Sequence, residues 1–187
     1  MIRRLFVVIM ATVVLSACGT QVIPGQLAVN GHAVPISLYR SIVKAEQQKI
    51  ERTGVGVDWH SSTGQHRLAA IQSSVIRQLV RSTVIEQLAQ ARGITVSRAE
   101  LTAAVSGAER AMGGPRAFEI ALEQAGISRP DFAAVLRYRL LEARLRQTEG
   151  TGFTAALERA MAGARVVATI APCGPDRDYP ACLTDRK

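Results

Sequence analysis

Three cysteines and three histidines are the side chains of this 187-residue chain best suited to covalent or metal chemistry. Cys173 and Cys182 bracket Gly174-Pro175-Asp176-Arg177-Asp178-Tyr179-Pro180-Ala181, a polar and turn-rich segment. In an oxidising compartment such a pair is expected to close a small loop as a disulfide, worth about 2–3 kcal/mol through the constrained unfolded chain. Two free thiols are the alternative. No histidine lies near the pair, which argues against a metal there. His60 and His66 stand elsewhere, in a spacing that matches no ligand set, so neither a metal nor a cofactor is expected. A hydrolytic site needs a nucleophile with a positioned base. The chain has no Gly-x-Ser-x-Gly and no His-Glu-x-x-His, and Gly113-Gly114 lacks the lysine and hydroxyl residue of a phosphate-binding loop. The expectation is a chain that is not an enzyme.

The remaining cysteine, Cys18, follows a different pattern. Arg3 and Arg4 precede an apolar run from Leu5 to Leu15, too short to span a bilayer. Leu15-Ser16-Ala17-Cys18 then resembles the lipobox of bacterial lipoproteins. In such proteins the cysteine thiol is diacylglyceryl-modified, the peptide is cut before it, and the new amino group is often acylated. A simple secretory signal or an uncleaved anchor is the alternative. Cleavage before Cys18 leaves 170 residues and lowers the formal charge from +8 to +6, because Arg3 and Arg4 are lost. The basic residues alternate with acids and form no arginine-rich arm or zinc-finger spacing, so nucleic acid is not an expected partner. A cationic surface suits approach to anionic lipid or to an unfolded polypeptide.

The elements that would position such a surface are helical. Leu68, Ile71, Val75, Leu79, Thr83, Val84 and Leu88 recur at helical period, with Gln72, Arg77, Gln78, Arg81, Glu86 and Gln87 on a wet face. Gly93 suits the left-handed position after that helix. Ser97 and Glu100 have capping-box spacing for the next helix, whose inner face is Leu101, Ala104, Val105, Ala108 and Met112. Pro115 opens a short helix with Phe118, Ala121, Leu122 and Ala125, ended by Gly126. Ser128, Pro130 and Asp131 start the last long helix, with Ile127 as a staple. Phe132, Val135, Leu136, Leu140 and Leu145 mark its core face, and Arg137, Arg139, Glu142, Arg144 and Arg146 lie mostly outside.

Around this body, Leu27-Ala28-Val29 and His32-Ala33-Val34 flank Asn30-Gly31, the strongest short hairpin signal. A helix capped by Ser37 follows, with Leu38, Ile42, Ala45 and Ile50 inward. Thr53 to Gln65 reads as a loop containing Trp59. After Gly150-Thr151-Gly152, Phe153 to Ala162 forms a short helix, and Arg165 to Ile170 a strand whose expected partner is the hairpin.

The order of these pieces resembles the amino-terminal domain of parvulin-type foldases and chaperones, the SurA and PrsA type. "LAVNGHAVPISLYRSIV" is similar to the family's strand, Val-Asn-Gly, strand, Ile-Ser, helix opening, here Val29, Asn30, Gly31, Ile36 and Ser37. "LAQARGITVSRAEL" is similar to its helix, Gly-Ile-x-Val, Ser-x-x-Glu connection, here Gly93, Ile94, Val96, Ser97 and Glu100. "FEIALEQAGISRPDFAAVLRYRLLEARL" resembles the run that ends in an acidic cap, Phe and paired leucines, here Asp131, Phe132, Leu140 and Leu141. The resemblance covers nearly all of Leu27 to Gln147. It implies a mainly α fold, a SurA N-terminal-like helical domain with a small hairpin or three-stranded sheet joining its two ends. It implies residues 1–17 as lipoprotein signal, 18–26 as tether, 27–170 as the domain and 171–187 as a Cys-bounded tail.

The same resemblance implies the function. The family's domain binds unfolded or partly folded polypeptides in the cell envelope, so the expected partners are exported polypeptides, with the membrane engaged through lipid on Cys18. The family departs from this chain after the helical part: between Gln147 and Phe153 there is room for a linker and not for a parvulin domain, so isomerase activity is not carried over. The expectation is an ATP-independent, chaperone-like lipoprotein of the bacterial envelope. The alternatives are an assembly lipoprotein with one dedicated partner and an isomerase accessory protein. Trp59, Met112 and Tyr138 are the client-binding candidates. The sequence leaves the oligomeric state open.

Overall fold

The structure is a computed structural model that describes residues 26–170. The expected signal segment, Cys18, and the Cys173 and Cys182 pair lie outside the described residues. The disulfide expected there is withdrawn: no disulfide is found in the structure among the described residues. The short, turn-rich spacing that suggested it does not set the Cα separation and Cβ directions a disulfide needs.

The chain runs β1 (Leu27–Val29), β2 (His32–Val34), α1 (Ile36–Arg52), α2 (Ser62–Ala91), α3 (Arg98–Ala111), α4 (Pro115–Ala125), α5 (Arg129–Glu149), α6 (Phe153–Ala162) and β3 (Val166–Ala168). A 3-10 turn, Gly150–Gly152, joins α5 to α6 directly. The fold is mainly helical with a small antiparallel sheet in the order β2-β1-β3, as the sequence led one to expect.

The sheet ties the two ends of the domain together. Leu27 pairs with Val34 on one side and Ala168 on the other, and Val29 pairs with His32 and Val166. Asn30 and Gly31 take φ of 53° and 81°, the left-handed pair that a tight hairpin turn requires. The Asn30 side chain then does a second task. Its Oδ1 accepts from the Arg165 amide at 2.8 Å, and its Nδ2 donates to Gln87 Oε1 at 2.7 Å. Gln87 in turn donates to the Val29 carbonyl at 3.0 Å. One turn residue thus links β1, the approach to β3, and α2. Gln26, assigned above to the tether, belongs to this ladder: its amide and carbonyl both bond Thr169.

The helices begin and end largely where local chemistry says they should. At Ser97 the capping box is complete, with Ser97 Oγ accepting from the Glu100 amide and Glu100 accepting from the Ser97 amide. At Ser128 only half of it forms: the hydroxyl accepts from the Asp131 amide, but the shorter Asp131 carboxylate bonds Ser128 Oγ. α2 closes with Ile94 donating to the Ala89 carbonyl and Gly93 to Gln90, with Gly93 at φ 66°. The ends of α3 and α4 repeat that bonding at Gly113-Gly114 and Gly126-Ile127.

Two starts differ from expectation. α1 begins at Ile36, with Pro35 and not Ser37 in the cap position, and no side chain caps it. α2 begins at Ser62, six residues before Leu68, because Ser61 Oγ accepts from the Gly64 amide at 3.1 Å. The residues Ser62 to Gln65, read above as loop, are helical.

α2 is the central element. It packs against α1, α5, α6 and the sheet. Burial therefore extends round it beyond the single stripe read from sequence: Ile76, Val80 and Ile85 join Val75, Leu79, Thr83 and Val84, and Gln72 is nearly as buried as they are. The main core combines Leu27, Val29, Leu38, Tyr39, Leu79 and Val84 with Leu141, Leu145 and Phe153. A second, smaller core lies between α3, α4 and the start of α5. It is built from Val105, Phe118 and Leu122, with Ala108, Ile127, Phe132, Ala133 and Leu136 packed on it. Phe118 is fully buried and meets Phe132 edge to face at 5.1 Å between ring centroids.

Candidate client-binding surface

The contact surface this body offers depends on which side chains it leaves outside. Met112, at the end of α3, is 47 % exposed, and Ile120 on α4 is 45 % exposed. Tyr138, a binding candidate from sequence, lies partly buried against the main core. Burial raises its phenol pKa, the Glu86 charge adds to that, and Arg137 opposes it, so the ring stays neutral. Trp59 is half-buried and belongs to neither core. The three candidates thus do not form one apolar cluster.

Trp59 is held in place by a built loop. Its indole N–H donates to Glu51 at 2.9 Å, and its carbonyl accepts from Gln65 Nε2 at 2.6 Å. Asp58 accepts from the His60 amide through its side chain, and from Ser61 Oγ through its carbonyl. α2 enters so close beneath this loop that a Cβ on Gly64 would stand 2.0 Å from the Asp58 carbonyl oxygen. Backbone must move to admit it. Gly64→Ala is expected to cost about 1–3 kcal/mol by overpacking. Because Trp59 is the chain's one tryptophan, its emission should shift to the red as the loop lifts. Unchanged emission and stability would show that the loop is not packed as described.

Several charged residues of α5, read above as a wet face, reach neighbouring helices. Arg81 on α2 grips the Glu142 carboxylate with both guanidinium nitrogens, at 2.9 and 2.6 Å, and Arg146 adds a bond to the same carboxylate at 2.6 Å. Arg137 pairs with Glu86, Arg92 with Glu149, and Arg144 with Glu100 and the Thr95 carbonyl. Arg129 pairs with Glu109 and Glu119 and lies over the Phe118 ring, its guanidinium carbon 5.1 Å from the centroid. These links pin α5 to α2, α3 and α4.

The Arg81 hydrogen bonds hold Glu142 at a pKa of about 2 from the usual 4.5, with Arg146 adding and burial opposing. The folded value lies below the unfolded one, so this contribution to stability is complete above about pH 4.5 and is lost as the pH falls toward 2. Solvent reaches the pair, so the loss should be no more than about 1 kcal/mol. The acid dependence of the denaturation midpoint should be measurably flatter in Glu142→Gln. Identical slopes in the two proteins would contradict this assignment.

Grooves between helices mark the described surface. One, of about 300 Å³, lies between α3 and α5 and is lined by Leu101, Val105, Glu109, Arg129, Pro130 and Ala133 among others. Another, of about 250 Å³, lies beside α1 and is lined by Ile36, Tyr39, Arg40, Val43, Lys44, Gln47, Gln72 and Ile170. The sequence reading did not single out Arg40, and it placed Gln72 on the wet face. Arg40 and Lys44 carried a signal, since no acid stands three or four residues from either along the helix. The burial of Gln72 carried none, because it arises where α1 packs on α2.

Among the described residues no group of histidines, cysteines or acids is placed to hold a metal. His32, His60 and His66 are exposed. No described helix is long and apolar enough to cross a membrane.

Residues 1–146 match the family described as SurA-like N-terminal domain. The chain belongs to that family. No curated protein and no solved structure matches it. The family match ends at Arg146, near the end of α5. α6 and β3 follow it in sequence but share its core, since Phe153, Leu157 and Ala168 pack with Leu141 and Leu145. The SurA-like body of this chain is therefore closed by residues beyond the matched stretch.

Proposed function

We propose that this chain is a chaperone-like lipoprotein of the bacterial envelope. It binds unfolded or partly folded exported polypeptides without ATP, and lipid on Cys18 holds it to a membrane. The observation that carries this reading is membership of the SurA-like N-terminal domain family across most of the chain. Two features of the body support it. Grooves with apolar floors and charged rims lie between helices, a surface suited to extended polypeptide. Arginine–glutamate links brace α5 against α2 and α3 from outside, so apolar side chains can stay exposed without loosening the core. The binding asks for no isomerase step, and the passage from α5 to α6 is a three-residue turn with no inserted domain.

The test is binding of the purified chain to a panel of unrelated, chemically unfolded proteins carrying a fluorescent label. Comparable micromolar affinity across the panel, with no added nucleotide, is the expected result. Binding to none of them, with tight capture of a single envelope protein, would replace this reading with that of a dedicated assembly lipoprotein.

A further inference from the structure

The groove beside α1 has a composition that selects among polypeptides. Its floor is apolar, from Ile36, Tyr39, Val43 and Ile170. Its rim carries two cations, Arg40 and Lys44, both exposed and one helical turn apart. No acid lines the groove, and no salt bridge among the described residues uses either cation. Arg129, Arg137, Arg144 and Arg146 of α5, by contrast, are paired with glutamates. Two like charges at this spacing repel, and an anion between them relieves that repulsion. Gln72 of α2, only 9 % exposed, also lines the groove. Its side-chain amide offers a donor and an acceptor to a visiting peptide backbone.

We infer that this groove binds an extended polypeptide segment in which an apolar side chain is flanked by carboxylates. The apolar side chain sits on Val43, Tyr39 and Ile170. The carboxylates pair with Arg40 and Lys44, and the segment's backbone meets the Gln72 amide. A membrane surface is the less suited occupant, because the apolar atoms lie on the groove floor, and the most exposed large apolar side chains, Val55, Met112 and Ile120, are not among its lining residues. The inference rests on the client-binding reading and narrows it to a site and a class of segment.

The experiment titrates the full chain into a short fluorescein-labelled peptide carrying leucine between aspartates in a Gly-Ser background. A counterpart has lysines for the aspartates, and phosphatidylglycerol vesicles form a third arm. The acidic peptide should bind about tenfold or more tightly than the basic one. The double variant Arg40→Glu, Lys44→Glu should reverse that order while its melting temperature stays unchanged. Gln72→Leu should weaken the acidic peptide without reversing the preference, since it removes the amide and keeps the charges. Equal binding of both peptides, or indifference to the double variant, overturns the inference. So does recruitment to vesicles through Arg40 and Lys44 with no peptide binding. If the double variant still binds the panel of unfolded proteins unchanged, the site is wrong and the client-binding reading stands. If the unaltered chain binds none of that panel, the reading itself fails.

Discussion

Phe118→Ala is expected to destabilise the protein by about 3–5 kcal/mol. Phe118 is fully buried at the centre of the smaller core, where it touches Phe132 and lies beneath the Arg129 guanidinium. Among the described residues that core has only Val105 and Leu122 as its other buried members, so little remains to collapse into the space. The damage should also be local. α3, α4 and the first turns of α5 depend on this ring, whereas the sheet, α1, α2 and α6 depend on the main core. Native-state hydrogen exchange should show protection falling most across Arg98 to Ala133 and least across α2. A loss below about 1 kcal/mol, or an even loss of protection throughout, would contradict the two-core description.

The second large effect concerns two adjacent leucines. Leu141→Ala should cost about 2–5 kcal/mol, and Leu140→Ala about 1 kcal/mol or less. Leu141 is 1 % exposed within the main core, while Leu140 belongs to neither core. The sequence reading chose Leu140, and the reason for the error is physical. α5 faces two cores at once. Phe132, Ala133 and Leu136 turn to α3 and α4, and Tyr138, Leu141 and Leu145 turn to α2. A single stripe drawn through Phe132 and Leu136 carries on to Leu140 and misses the change of face. Urea denaturation of the two variants, read side by side, distinguishes the phases; equal losses would place α5 wrongly against α2.

Features governed by near neighbours in sequence were legible. The Asn30-Gly31 hairpin, the capping box from Ser97 to Glu100, the proline at the start of α4 and the glycine ends of α2 and α4 follow from a few consecutive residues each. The pairing of the last strand with the hairpin was legible because a lone strand has no other way to satisfy its backbone groups. Features governed by distant segments were not. Gln72 looks like a wet-face residue until α1 packs against α2. Arg81 and Glu142 look like solvated charges until α2 and α5 lie side by side. The second task of Asn30, joining Arg165 to Gln87, is invisible in a motif that reports only a turn. Of the three binding candidates, Met112 is well exposed, Trp59 is tied into its loop by Glu51 and Gln65, and Tyr138 leans on the core. Large soft side chains are chosen from sequence for what they can contact, and burial then decides which are left to do so.

This division bears on function. The body is braced by arginine–glutamate links that run between helices, and in the groove beside α1 two neighbouring cations, Arg40 and Lys44, stand over an apolar floor with no salt bridge among the described residues. A domain that holds extended polypeptide needs both: helices fixed relative to one another, and polar and charged groups left unmatched at a place where a client can match them. Family membership supplies the class of activity proposed, and the uncommitted pair Arg40 and Lys44 supplies a location for part of it.

The most direct test of the central claim is light scattering from a chemically unfolded, unrelated protein diluted into buffer with the purified chain and no ATP. The account predicts that scattering falls in proportion to the chain added and is abolished near stoichiometric amounts. Undiminished scattering, from a chain shown by its tryptophan emission and cooperative unfolding to be folded, would contradict it.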